Sequence, residues 1–360
     1  MRTKFITFSD FHLHDWSTFS KPVTYTYKGK HIQVTDRIMA QVNTLNRVFE
    51  LANENNADVL FCGDFYHTRN KISNVIFNIG FNTIMDNMVK YPDMRLYMIV
   101  GNHCQADSSD MPSHSLETFK AIPRVTVMDD FEPVYTGSCM LYPISYSDNV
   151  EMLKGKIQEF KEHATARTGE PSILMAHLGV DGSQTSVSHR LGGAFTLGDL
   201  YPDVFDIVAL GHYHHRQFLG DTDNAFYVGN TIQESFSDEG QDKGVFLIDL
   251  DKRGKPEFIP IENKKFITLR EIPENVQEIV DNNYVRMIVP QELATEVSIF
   301  KEESDNVRVE VQKEYKSELR IDIDVASSEE DIVKAYTDKF YPKVTSKAVD
   351  ILKEAMTVEV

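Results

Sequence analysis

The chain has 360 residues, 41% of them hydrophobic and 26% charged, which excludes a largely disordered polymer and leaves room for one large domain plus a smaller appendage. A formal net charge of −18 excludes coating of nucleic acid by bulk electrostatics, because phosphate binding is driven by Lys and Arg; a nucleic-acid enzyme remains open, since bound cations or a basic partner reverse the local sign. Cys62, Cys104 and Cys139 are widely spaced and odd in number, which suits a reducing compartment better than a disulfide framework.

The N-terminal MRTKFITFSD lacks the apolar core of a secretory signal, and no run reaches membrane-spanning length, so a cytoplasmic location without membrane attachment is expected. FITFSD reads as a short strand, followed by a polar, aromatic loop through about Val34. From Thr35 or Asp36 the residues Ile38, Val42, Leu45, Phe49 and Ala52 recur at spacings of three and four, one face of a helix. ADVLFCGD is a second strand with an abrupt end, Asn74 to Val89 a second helix and MRLYMIVGNH a third strand. This alternation predicts a layered α/β domain.

Farther on, Ser115 to Ala121 reads as a helix, Cys139 to Pro143 as a strand, Val150 to His163 as a helix, and PSILMAH and FDIVALGHYHH as strands. AFYVGN, GVFLIDL and PEFIPI form a β-rich closing section that ends near Glu262. Residues 263–325 alternate FITLREI, YVRMIV, VRVEV and LRIDID with acidic, helix-prone connections, a composition shift that predicts a second, small domain. The tail carries helical spacing twice, over Ser328 to Tyr341 (Ile332, Ala335, Tyr336, Phe340) and Val344 to Met356 (Ala348, Ile351, Leu352, Ala355), on either side of Pro342.

Five of the apolar strands stop at side chains that bind protons or metals. They are SDFH with Asp10 and His12, GDFYH with Asp64 and His67, GNH with Asn102 and His103, AH with His177, and GHYH with His212 and His214. In open α/β sheets, ligand sites form beyond the carboxyl ends of the strands, so these residues can converge although they are far apart in sequence. Carboxylate, imidazole and amide oxygen together suit a divalent first-row metal such as Mn or Fe, not the thiolate cage of structural zinc. The ligands exceed the needs of one open site, and a carboxylate such as Asp64 can bridge two ions, the arrangement used for in-line displacement at phosphorus.

In this order, D-x-H, G-D-x-x-H, G-N-H, A-H and G-H-x-H resemble the calcineurin-like metallophosphoesterase superfamily, and within it the chain is most similar to SbcD-type DNA repair nucleases. The resemblance implies a four-layer αββα sandwich over 1–262 and a small α+β capping, DNA-binding domain over 263–325. Over 326–360 it implies a helical segment that docks on an SbcC-type coiled-coil ATPase. Asp10, His12, Asp64 and His214 would hold one divalent ion, and Asp64, Asn102, His177 and His212 the other, with Mn as the leading metal and Mg or Fe as alternatives. His103 would be the general acid for the leaving oxygen, and His67 would stand near the scissile phosphate.

The activity implied by the resemblance is that of a Mn-dependent nuclease, exonucleolytic on double-stranded DNA ends and endonucleolytic on single-stranded or branched DNA, working as a homodimer. ATP would bind the partner, since this chain has no G-x-x-x-x-G-K-[ST] loop. Protein phosphatases of the superfamily resemble G-D-x-x-D-R-G where this chain reads GDFYHTR, so His67 favours the nuclease. The family usually places Asp or Glu after G-N-H, and Cys104 departs from that.

Two other functions remain open: a phosphatase or cyclic-nucleotide phosphodiesterase on the same scaffold, and a weakly catalytic DNA-end-binding scaffold. The loop from Leu13 to Val34, with Trp16, Phe19, Tyr25 and Tyr27 among lysines, either stacks bases or packs its own aromatics. SVSHRLGGAF, residues 186–195, either flexes over substrate or makes a turn. His215 is expected in solvent, and His14, His31, His114, His163 and His189 receive no role.

Overall fold

The computed structural model describes residues 2–107, 112–167, 169–186, 189–190, 193–252, 255–293, 306–311 and 328–356. Within them the chain divides into two compact units, Met1–Val311 and Gln312–Val360.

The first unit is built on two six-stranded sheets. One contains β1 (Lys4–Phe8), β4 (Asp58–Phe61), β5 (Leu96–Met98), β6 (Val125–Val127), β15 (Gly244–Asp249) and β16 (Glu257–Pro260), in the order β16-β15-β1-β4-β5-β6. The other contains β7 (Val134–Tyr135), β8 (Met140–Ile144), β9 (Ser172–His177), β12 (Ile207–Gly211), β13 (Gln217–Phe218) and β14 (Ala225–Tyr227), in the order β13-β14-β12-β9-β8-β7. Three helices flank them: α1 (Asp36–Glu54), α2 (Asn74–Lys90) and α3 (Val150–Ala166). Each starts where a side-chain oxygen accepts from an otherwise unpaired helical N–H, Thr35 from Ile38, Ser73 from Ile76 and Asn149 from Met152.

Period-two alternation explains the layering. Along β4, Val59 and Phe61 face the core under α1 and α2 while Leu60 faces the other sheet; along β12, Val208 and Leu210 face α3 while Ile207 and Ala209 face the first sheet. The middle core between the sheets holds Phe5, Leu60, Ile173, Met175, Phe226 and Phe246, all fully buried. Strands apolar on both faces must be covered on both faces, and the result is helix, sheet, sheet, helix.

Strands β1, β4, β5 and β6 run parallel, as do β8, β9, β12 and β14. Their registers end level, with Phe8 opposite Phe61, Phe61 opposite Met98 and Gly211 opposite His177, so the motif-bearing ends of both sheets open on one edge.

Pro22 to Thr35, read from the sequence as loop, is largely an antiparallel hairpin of β2 (Pro22–Tyr27) and β3 (Lys30–Thr35). Val23, Tyr25 and Ile32 pack on the core that α1 and α2 cover, and Tyr27 donates to Asp86 of α2 at 3.3 Å. The aromatics of this segment therefore serve the domain's own packing. A short ribbon pairs β10 (Gln184–Ser186) with β11 (His189–Arg190), while residues 187–188 and 191–192 of SVSHRLGGAF lie outside the described residues.

A third, wholly parallel sheet, β17 (Phe266–Leu269), β18 (Tyr284–Val289) and β19 (Val307–Val311), packs with α4 (Val276–Asn282) around Val280, Val285 and Met287. It joins the sandwich through edge-on rings of Phe19, Phe236 and Phe266, through Arg37 over Phe266 and Tyr284, and through the Phe266 N–H donating to Gln233 at 2.7 Å. The expected strand LRIDID lies outside the described residues.

The second unit is a helical hairpin of α5 (Glu329–Phe340) and α6 (Thr345–Met356), closed by Thr345 donating to Asp338 at 2.8 Å and by a Lys353–Glu330 pair at 2.9 Å. Ile332, Tyr336, Phe340, Tyr341, Val344, Ile351 and Met356 are all exposed. Among the described residues no helix is long and apolar enough to cross a membrane.

Candidate metal centre

The loops that leave β1 and β4 are zipped together: the Asp10 N–H donates to the Gly63 carbonyl and the His12 N–H to the Asp64 carbonyl, each at 3.0 Å. To aim their side chains inward, Asp10 (φ 48°), His12 (φ 45°), Asp64 (φ 64°) and His212 (φ 101°) all adopt positive φ. Such backbone costs a non-glycine residue roughly 1–3 kcal/mol, so surrounding bonds must hold them there. Asp10 supplies one, its carboxylate accepting from the His212 N–H at 3.1 and 3.2 Å.

Gly211 is required for a different reason. A Cβ there would overlap the Cys62 carbonyl oxygen and Ser9 Oγ and come within 2.8 Å of His177 Nδ1. Gly211→Ala is therefore expected to destabilise the fold by about 1–3 kcal/mol through overpacking and to weaken divalent-metal binding, read as a lower urea midpoint together with a reduced metal content.

The structure brings all seven expected ligands together. His12 Nε2 lies 3.1 Å from His214 Nε2 and 3.9 Å from Asp64 Oδ2. Asp10, His12 and His214 form one group whose ligand atoms lie within 4.8 Å of one another, and Asp10, Asp64 and His177 form a second. On the other side of Asp64, Oδ2 is 3.2 Å from His177 Nε2, and the Asn102 amide is 3.0 Å from His177 Nε2 and 3.1 Å from His212 Nδ1. Asp10, His12, Asp64, Asn102 and His177 are buried.

The Asn102 amide tests whether these residues fit a cation. With its oxygen inward, Asn102 Oδ1 faces His177 Nε2, His212 Nδ1 and Asp64 Oδ2, a ring of lone pairs once His177 Nε2 has given up its proton. A divalent ion satisfies such a ring. Turned by 180°, the amide nitrogen instead donates to these atoms and the oxygen accepts from Arg69 at 3.2 Å. His177 is further prepared, since its Nδ1 lies 2.8 Å from the Cys62 carbonyl, which fixes Nδ1 as the protonated nitrogen and leaves Nε2 to a metal.

Proton energetics agree. Burial pushes the His12 imidazolium well below its ordinary range and His212 down to about 4, the neighbouring imidazoles adding to the shift, so both are neutral at pH 7, the form that can bind a metal. Burial also disfavours charge on His177, but the Asp64 carboxylate outweighs it and holds His177 up at about 9. For Asp64 itself burial works against ionisation, yet His177 and His12 hold its carboxyl below the usual range. In the metal-free chain His177 thus carries the positive charge that a cation would replace.

Two more histidines flank this cluster. His103 N–H donates to Asp64 Oδ1 at 2.7 Å, and its ring Nδ1 lies 2.5 Å from the His67 carbonyl. His67 stacks on His103 at 5.4 Å, and burial pushes its pKa down to about 4, aided by His14 and His103.

Sequence reading missed several neighbours. His14 and Trp16 pack on His67 at 5.0 and 4.6 Å, Tyr146 lies 6.0 Å from His212, and Arg69 touches Asn102. Arg69 sits inside GDFYHTR, where adjacency to His67 was the available signal. Cys104 is buried in the helix-side core with Phe65 and Tyr66, and burial pushes its thiol up to about 12, making it an inert packing group. His215 is half-buried beside Gln241 and Lys243, not in solvent.

Comparison with known proteins agrees with this geometry. The family described as "Calcineurin-like phosphoesterase" matches residues 3–216. The SbcD subunit of the SbcCD nuclease of Staphylococcus epidermidis is 23% identical over 255 residues, 64% of this chain and 63% of that protein. Its counterpart from Staphylococcus saprophyticus is 27% identical over 206 residues, 52% of each chain. The chain thus spans between about half and just under two thirds of the length of these relatives. The family match contains all five strand-end motifs as well as most of the two-sheet sandwich, and the chain accordingly belongs to the calcineurin-like phosphoesterase family.

Proposed function

We propose that the chain is a Mn-dependent DNA nuclease of the SbcD type, exonucleolytic on double-stranded ends and endonucleolytic on single-stranded or branched DNA. In this reading it acts in the cytoplasm as a homodimer and as the nuclease subunit beside an SbcC-type ATPase. The observation that carries the proposal is the convergence of Asp10, His12, Asp64, Asn102, His177, His212 and His214 from five strand ends, with His67 and His103 alongside. Asp10, His12, Asp64 and His214 would hold one divalent ion and Asp64, Asn102, His177 and His212 the other. Bound there, the pair would supply Lewis-acid activation of water and of the phosphoryl group.

The protein's own residues do the rest. The His67 carbonyl accepts the Nδ1 proton of His103, so a proton on His103 Nε2 is the one available to the leaving oxygen, and the Asp64 carboxylate fixes the His103 backbone. DNA is favoured over a small ester by His67 in place of the phosphatase aspartate, by the capping sheet beyond residue 262, and by the names of the relatives. The exposed apolar stripe of the α5–α6 hairpin, with Ile332, Tyr336, Phe340 and Ile351, is the segment we assign to the ATPase coiled coil.

The test is degradation of end-labelled duplex DNA with Mn, with and without an SbcC-type ATPase, against a small phosphate monoester. Mn-dependent loss of duplex ends, removed by chelator, is expected. Turnover of the monoester with intact DNA would replace the proposal by a phosphatase.

A further inference from the structure

We infer that Arg69 is a substrate-contacting residue that grips a non-bridging oxygen of the phosphate. The inference rests on the metal-dependent reading above and adds a residue that none of the five motifs contains. Arg69 lies five residues beyond Asp64 on the loop that also carries His67, and it is exposed.

Its Nη2 stands 3.2 Å from the Asn102 amide, whose opposite end faces His177, His212 and Asp64. The guanidinium thus sits at the rim of the centre, where an anionic ligand must arrive.

The fork suits that ligand: guanidinium N–H groups bind phosphate oxygens in parallel pairs, while an ammonium acts as a point charge. Tyr146 lies near enough to Arg69 for its charge to be felt, and its ring is 6.0 Å from His212, which places Arg69 on the same side of the centre. Burial and Asp148 keep the Tyr146 phenol neutral, its pKa pushed up to about 12, so the tyrosine adds no negative charge that would repel phosphate.

The experiment is equilibrium dialysis of radiolabelled orthophosphate against the Mn-loaded full chain, comparing the parent with Arg69→Ala and Arg69→Lys and measuring metal content in each. Loss of a hydrogen bond to a charged group predicts phosphate binding weakened by about 10-fold or more in Arg69→Ala, an intermediate value in Arg69→Lys, and unchanged Mn content in both. The KM for duplex DNA should rise in the same order. Phosphate affinity in Arg69→Ala equal to the parent's would overturn the inference alone, as would loss of bound Mn, which would make Arg69 a support of the metal site. A Mn-loaded parent that binds no phosphate would overturn the inference together with the function on which it rests.

Discussion

Asp64→Asn is expected to lower the proposed DNA hydrolysis by at least about 10³-fold, because a metal supplies several kcal/mol of transition-state charge stabilisation and each 1.36 kcal/mol is worth tenfold in rate. The substitution keeps the side chain's shape and one oxygen but removes the negative charge that the proposal shares between two ions. Asp64 touches both halves of the cluster, His12 at 3.9 Å and His177 at 3.2 Å, and its other oxygen accepts from the His103 N–H at 2.7 Å. Loss of bound divalent metal should accompany loss of rate.

A metal-free readout gives the same residue an independent check. The His177 imidazolium stands at about 9 because the Asp64 charge outweighs its burial. With Asn at position 64 the burial effect is opposed only by weaker partners, so the pKa of His177 falls markedly, and an NMR titration of the apo chain should show it. A variant that kept parental hydrolysis and an unmoved His177 would remove Asp64 from the centre of the mechanism.

The site was legible in the sequence because its residues interrupt apolar runs. FITF, DVLF, ILMA and IVAL must be buried, and the polar residues that follow each must lie at the strand's end. Parallel pairing then puts those ends on one edge. The middle core was less legible. AFYVGN and GVFLIDL look alike as strands, yet β14 joins the second sheet and β15 pairs with β1 across more than two hundred residues, a choice that no local pattern encodes.

PVTYTY and KHIQVT show the opposite failure. Their period-two alternation was present, but lysines and hydroxyls on the outward face made the segment read as loop, while Val23, Tyr25 and Ile32 faced the core. Arg69 escaped because a solvent-exposed arginine carries no periodic signal. Only the fold brings it to Asn102, thirty-three positions away in the chain.

His103→Ala should separate metal binding from proton transfer. General-acid catalysis is typically worth 10²–10⁴-fold, so the proposed DNA hydrolysis is expected to fall by about that factor while divalent-metal content stays at the parental level. Metal retention follows from the geometry. What His103 lends to Asp64 is its backbone N–H, at 2.7 Å, which alanine keeps, and its ring is tied instead to the His67 carbonyl. The decisive comparison changes the leaving group. A nitrophenyl phosphodiester expels a phenolate that departs without a proton, so its hydrolysis should survive the substitution nearly intact, whereas the alkoxide leaving from DNA needs the acid. Equal losses on both substrates would mean that His103 positions the phosphate or the ions, and the proton would then have to come from another group, of which the half-buried His67, stacked on the same ring, is the nearest.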